Sequence, residues 1–198
     1  MKVYQELTLL PNESQEVSLY FIWSKLYQQL HMAWVDTKDE RGKVSTGVSF
    51  PQYDYSLGQL GHKLRILAPN ENEMQELKLS KWLVCLSDYV HVTSIREVPE
   101  APRAHVVFKR LQTKSSVERL GRRSAKHQGV SLEESLESLG NKVDVHSRAP
   151  FIHIKSQSSK RTFRLMIACE EVEHAKYEGR FSTYGLSSNE SEATVPLF

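Results

Sequence analysis

With 198 residues, 39% of them apolar, the chain can build one large domain or two small ones around a real core, and a formal net charge of +2 is too small to make it basic as a whole. No stretch approaches the ~18 consecutive apolar residues of a membrane span. The opening MKVYQELTLLPNE carries acid where a signal peptide needs a continuous apolar core, so the expected location is the cytoplasm. Cys85 and Cys169 both sit in apolar surroundings, WLVCL and MIACE, and read as reduced, packed thiols.

In chain order, residues 3–10 alternate and stop at Pro11, as a strand does. Leu19, Ile22, Trp23, Leu26, Leu30 and Ala33 then recur at helical spacing, predicting a helix over 15–34. After the polar run DTKDERGK, VSTGVSFP reads as a second strand ended by Pro51, and KLRILAP as a third. Residues 72–89 predict one further helix, with Met74, Leu77, Leu79, Trp82, Leu83 and Leu86 as core candidates, and 90–98 a strand. The order βα-β-β-αβ is that of a ferredoxin-like fold.

The two prolines of EVPEAPR mark the expected boundary, giving domains over 1–99 and 100–198. The second half opens with the strand AHVVFKRLQ. A basic helix and the short acidic helix SLEESLESLG follow, then the strands PFIHIKS and TFRLMIA around the polar turn SQSSKR. The apolar C-terminus is expected to pack back onto the fold. The class is therefore α+β: a ferredoxin-like domain, then a less regular one with a basic helix and a β-hairpin.

The positive charge is concentrated in 109–127, KRLQTKSSVERLGRRSAKH, which only Glu118 interrupts. In a helix from about Ser116, Arg119, Arg122, Arg123 and Lys126 fall at i, i+3, i+4 and i+7, stacked on one face. Like charges at these spacings weaken a helix by a few tenths of a kcal/mol per pair unless a polyanion offsets them. Nucleic-acid phosphate is the common such partner, and a solvated helix face is the plain alternative.

The motifs of nucleotide-binding loops, zinc sites and serine hydrolases are absent, and the eight histidines are scattered. An enzyme of this sequence is expected to need no metal or organic cofactor. RNA cleavage meets that condition, because the attacking group is the substrate's own 2′-hydroxyl and the protein removes a proton and holds the phosphate in line. His31, near the end of the first helix in QLHMAW, is a candidate base, although a lone histidine between Leu30 and Met32 also reads as a packing residue. Ser156 and Ser158, flanked by Lys155, Lys160 and Arg161, suit a ribose and a phosphate, or form an ordinary solvated turn. Phe163 and Tyr184 each fit the core or a site.

Taken together, these residues resemble the CRISPR-associated endoribonucleases of type I-F systems. The resemblance runs along nearly the whole chain: GVSFP at 47–51, LG…LRI at 60–66, RLQ-x-KSS-x-ERL-x-RR at 110–123, PFI-x-IKSQS at 150–158, FRL at 163–165, F-x-x-YGLS at 181–187 and the terminal VP-x-F. It implies metal-independent cleavage of precursor CRISPR RNA at the 3′ base of a repeat hairpin, leaving a 2′,3′-cyclic phosphate. The product hairpin would stay bound as part of a surveillance complex with other subunits.

By the same resemblance His31 takes the place of the catalytic histidine, with Tyr27 one turn earlier as its rival. Ser156 holds the reacting ribose and Tyr184 lies beside the histidine. Arg110 and Gln112 read base edges in the lower stem, and Phe163 stacks under the last base pair. Arg119, Arg122, Arg123, Lys126 and His127 line the groove-binding helix, and Lys155, Gln157 and Ser158 complete the RNA-binding set. Gly121, Lys126 and His127 stand where the family pattern has arginine or another strong cation. The loop from His31 to Gly47 is long, and SSNESEA looks inserted. Two other readings fit the same residues: a non-catalytic module capping an RNA hairpin, and a DNA-binding protein with a basic recognition helix.

Overall fold

The computed structural model describes all residues except 12–16, 113–116, 139–147, 157–158, 177–179 and 189–190, and of 117–119 the backbone only. It forms two compact units, Met1–Leu111 with Ala149–Phe198, and Gln112–Arg148. The expected division near residue 99 falls inside the first unit, between its two larger sheets.

The first of these sheets contains β1 (Val3–Leu9), β3 (Gly47–Ser49), β4 (Lys63–Ala68), β5 (Val90–Val92) and β6 (Arg96–Glu97). Its path is β3-β4-β1-β5 with β6 also on β1, and every pairing is antiparallel. With α1 (Leu19–Thr37) after β1, and α2 (Glu71–Glu76) and α3 (Leu79–Leu83) between β4 and β5, this is the ferredoxin-like order read from the sequence. Ser18 caps α1, its hydroxyl accepting from the Phe21 N–H at 3.3 Å. The buried face of α1 is Ile22, Trp23, Leu26, Tyr27, Leu30, Ala33 and Trp34.

Three expected elements and the surroundings of one cysteine differ. The helix over 72–89 is two short helices and a 3-10 turn, Val84–Leu86, because Leu77 and Leu79 are both buried. Two residues apart, they would face opposite sides of one helix, and left-handed Lys78 (φ 47°) turns the chain so that both face inward. The strand over 44–51 is split: β2 (Lys43–Val44) pairs with β10 (Phe181–Ser182), while β3 joins the larger sheet. The strand over 90–98 is interrupted between β5 and β6, where the Thr93 hydroxyl accepts from the Glu6 N–H at 3.0 Å. Cys85 is exposed, not packed, since the 3-10 turn directs Leu86 inward and leaves Val84 and Cys85 outside.

The second large sheet has the order β11-β7-β9-β8, from β7 (Ala104–Leu111), β8 (Phe151–Lys155), β9 (Thr162–Val172) and β11 (Val195–Leu197). Phe108, Ile152, Ile154, Leu165 and Ile167 enter the same core as α1. The C-terminus packs as expected: β11 pairs with β7, and the Phe198 ring meets Tyr4 edge-on at 4.9 Å. The smaller unit pairs α4 (Val117–Gln128) with α5 (Leu132–Ser138). A capping box starts α5, with the Ser131 N–H donating to Glu134 Oε2 at 3.0 Å and the Glu134 N–H to Ser131 Oγ at 3.1 Å.

Candidate active site

His31 lies one turn beyond Tyr27 on α1, half-buried. Its imidazole stacks flat on Tyr184, with ring centroids 4.3 Å apart and planes 4° apart. Nδ1 lies 2.7 Å from the carbonyl oxygen of Thr183. A carbonyl only accepts, so Nδ1 carries the proton of the neutral ring and Nε2 keeps its lone pair. Burial pushes this imidazole below its ordinary range; the Thr183 carbonyl opposes that shift and the Lys38 charge adds to it. The ring is therefore a neutral base near pH 7.

The turn that carries Tyr184 is fixed from three sides. Gly185 N–H donates to Ser182 O at 2.8 Å and its carbonyl accepts from Val48 N–H at 3.0 Å. Gly185 sits at φ 65°, and a Cβ there would lie 2.8 Å from both Trp34 and Val48, so only glycine fits. The Tyr27 hydroxyl donates to the Tyr184 carbonyl at 2.8 Å. Tyr27 is fully buried and its phenol is held well above its usual range by that burial. It supports the site from beneath, whereas the ring of His31 is half-exposed.

Ser156 starts the turn after β8. Its N–H donates to Arg161 O at 2.9 Å, and its Oγ accepts from Ser159 N–H at 3.2 Å. Lys155 beside it is exposed. Across the sheet, Phe163 is half-buried on β9 with the Arg110 guanidinium 5.1 Å above its ring. Arg110 is also close enough to Tyr184 to draw down a phenol that burial raises. His31, Tyr184, Arg110 and Phe163 are thus linked by successive contacts, and Ser156 follows β8, the strand that pairs with the one carrying Phe163. Gln157 and Ser158 lie outside the described residues.

Sequence reasoning missed the residues that set this geometry. Ser24 and Gln28 precede His31 at i, i+4 and i+7, hence on one face of α1. Ser24 Oγ donates to His153 O at 2.7 Å and Gln28 Oε1 accepts from Lys155 N–H at 3.1 Å. Their spacing was visible in the chain; their partners are backbone atoms that no motif displays. Thr183 likewise contributes only its carbonyl.

In the smaller unit, Arg122, Arg123, Lys126 and His127 are exposed on α4, and the side chain of Arg119 lies outside the described residues. Gln112, also exposed, begins this unit. Gly121 has a packing role: a Cβ there would stand 2.6 Å from Leu136, and its carbonyl accepts from Ser135 Oγ at 2.9 Å. An arginine at that position would push α5 away. Among the described residues no group of histidine, cysteine and carboxylate side chains is arranged to hold a metal ion.

Residues 4–198 match the model of a family described as CRISPR-associated protein (Cas_Csy4). The chain is 33% identical over 198 residues, all of both chains, to the CRISPR-associated endonuclease Cas6/Csy4 of Escherichia coli (strain UTI89 / UPEC). It is 34% identical over 177 residues to the protein of the same name from Pseudomonas aeruginosa (strain UCBPP-PA14), covering 89% of this chain and 90% of that one. A solved chain described as an RAMP protein binding different RNA substrates aligns over the whole of both chains with a TM-score of 0.37 at 11% identity.

Proposed function

Because the chain belongs to the CRISPR-associated Cas_Csy4 family, we propose that it is an endoribonuclease that cuts precursor CRISPR RNA at the 3′ base of the repeat stem-loop and keeps the hairpin. The observation that carries this reading is the 2.7 Å hydrogen bond from His31 Nδ1 to Thr183 O, which leaves the lone pair of a base on Nε2. The reaction needs no metal. Nε2 takes the proton of the 2′-hydroxyl upstream of the cut, and the freed oxygen bonds to phosphorus. The bond to the 5′ oxygen breaks, and that oxygen takes a proton from solvent. The products are a 2′,3′-cyclic phosphate and a 5′-hydroxyl.

In this reading Ser156 holds the reacting ribose, and the Tyr184 ring fixes the imidazole plane. Phe163, with Arg110 above it, stacks under the terminal base pair, a contact worth about 1–3 kcal/mol per base. Arg110 and Gln112 read base edges, and Lys155, Gln157 and Ser158 line the RNA path. Arg119, Arg122, Arg123, Lys126 and His127 contact the stem phosphates or groove. Stem contacts remote from the cut are the same before and after reaction, so they favour retention of the product and its passage into a crRNA-guided complex in the cytoplasm.

The test is a 5′-labelled repeat hairpin incubated with the protein in EDTA. A single cut ending in a cyclic phosphate, lost in His31→Ala while hairpin binding persists, is the expected result. Binding without a cut by the unaltered protein would make it a capping module instead. Equal affinity for the DNA hairpin of the same sequence would make it a DNA-binding protein.

A further inference from the structure

Among the described residues β8 is an edge strand, and its outward backbone groups have no neighbouring strand to pair with. Two of them are taken by side chains of α1: His153 O by the Ser24 hydroxyl and Lys155 N–H by the Gln28 amide oxygen. The Gln28 orientation is unambiguous, since only its oxygen can accept from an N–H. Its Nε2 is consequently buried with no hydrogen-bond partner among the described residues. An unpaired buried amide nitrogen costs stability, and an apolar side chain of similar length would fill the same space without that cost. What an apolar side chain lacks is the acceptor for Lys155.

That acceptor has a specific place. Lys155 is the residue before Ser156, and Gln28 is one helical turn before His31 on the same face of the helix. The strand and the helix run alongside each other, Ser24 meeting residue 153 and Gln28 meeting residue 155, so the pair of bonds fixes their longitudinal register. We propose that Gln28, assisted by Ser24, is a positioning residue for the cleavage reaction: it holds the start of the Ser156 turn at a set distance from the His31 ring. This rests on the assignment of His31 as base and Ser156 as ribose contact. In-line attack tolerates little displacement, so losing the tie lowers the chemical step while leaving stem recognition intact.

The experiment uses the full chain and a labelled repeat hairpin, comparing the single-turnover cleavage rate at saturating protein with the hairpin Kd. Gln28→Met keeps the bulk and removes the acceptor, and is expected to slow cleavage by about tenfold or more at an unchanged Kd. Cleavage at the unaltered rate would overturn the proposal, as would a loss of rate matched by an equal loss of affinity, which marks a merely structural residue. If Gln28→Met does not fold, Ser24→Ala removes the second tie, the 2.7 Å bond to His153 O. It should slow cleavage by about threefold at constant Kd, and an unaltered rate there overturns the proposal equally. Absence of cleavage by the unaltered protein would instead defeat the functional reading on which this one stands.

Discussion

The His31 imidazole and the Tyr184 phenol lie in face-to-face contact, 4.3 Å between centroids and 4° from parallel, although 152 residues separate the His31 ring from the Thr183 carbonyl that it also binds. The stack sets the plane of the imidazole and the carbonyl sets its tautomer. Neither constraint comes from a residue near His31 in sequence.

The pH dependence of cleavage follows from the environment of that ring. Burial lowers the His31 pKa from its ordinary value, so the neutral, proton-accepting form persists to more acidic pH than for a free imidazole. Cleavage at sub-saturating RNA, which reports the free protein, should have its acid-side midpoint below about pH 6.5. The same shift acts on folding. Because the folded pKa is depressed, this contribution to stability is complete above about pH 6.5 and declines as pH falls, when unfolded chains take up the proton first. A cleavage profile with its midpoint above about 6.5 would contradict the assignment.

Tyr27→Phe removes the hydroxyl that donates to the Tyr184 carbonyl at 2.8 Å in a fully buried position. The carbonyl is left without this donor, which costs about 1–3 kcal/mol. Thermal melting should show that loss, and cleavage should slow as the His31 stack loosens, with hairpin affinity retained. A variant as inactive as His31→Ala but equally stable would instead reinstate Tyr27 as the reacting group.

Gly121→Arg restores a cation to the family pattern, yet it should weaken hairpin binding. The added Cβ meets Leu136 at 2.6 Å, and the collision opens the α4·α5 pairing. Overpacking of this kind costs about 1–3 kcal/mol. Binding assays and protease sensitivity of the 112–148 unit report it; tighter binding with unchanged protection would show that the helix pair tolerates the side chain.

Arg123→Ala should reduce affinity for the hairpin and flatten the plot of log Kd against log salt by about one phosphate contact. Arg123 is exposed on α4, so the substitution has little to disturb within the helix itself. An unchanged slope would remove this side chain from the RNA backbone.

Much of the fold was legible because its periodicities are strong. The 3.6-residue recurrence of Ile22, Trp23, Leu26, Leu30 and Ala33 and the alternation of β1 and β4 each name a buried face without reference to any other element. The basic helix was legible for the same reason, its cations repeating at helical spacing. Where the reading went astray, tertiary packing overrode local pattern: Lys78 adopts a left-handed turn so that Leu77 and Leu79 can both be buried, and β2 leaves β3 to pair with a strand near the C-terminus.

The sequence by itself determined most of the elements, their order, the family and the residue types available for chemistry, since these depend on local periodicity and on which side chains are present. Tertiary structure alone decided which atoms act together. Thr183 and Lys155 contribute backbone groups to the site, Gln28 and Ser24 align a helix with a strand edge, and Gly121 is glycine because α5 leaves no room for more. Backbone carbonyls and N–H groups are the same at nearly every position, so their roles emerge only when folding brings distant segments within hydrogen-bonding distance.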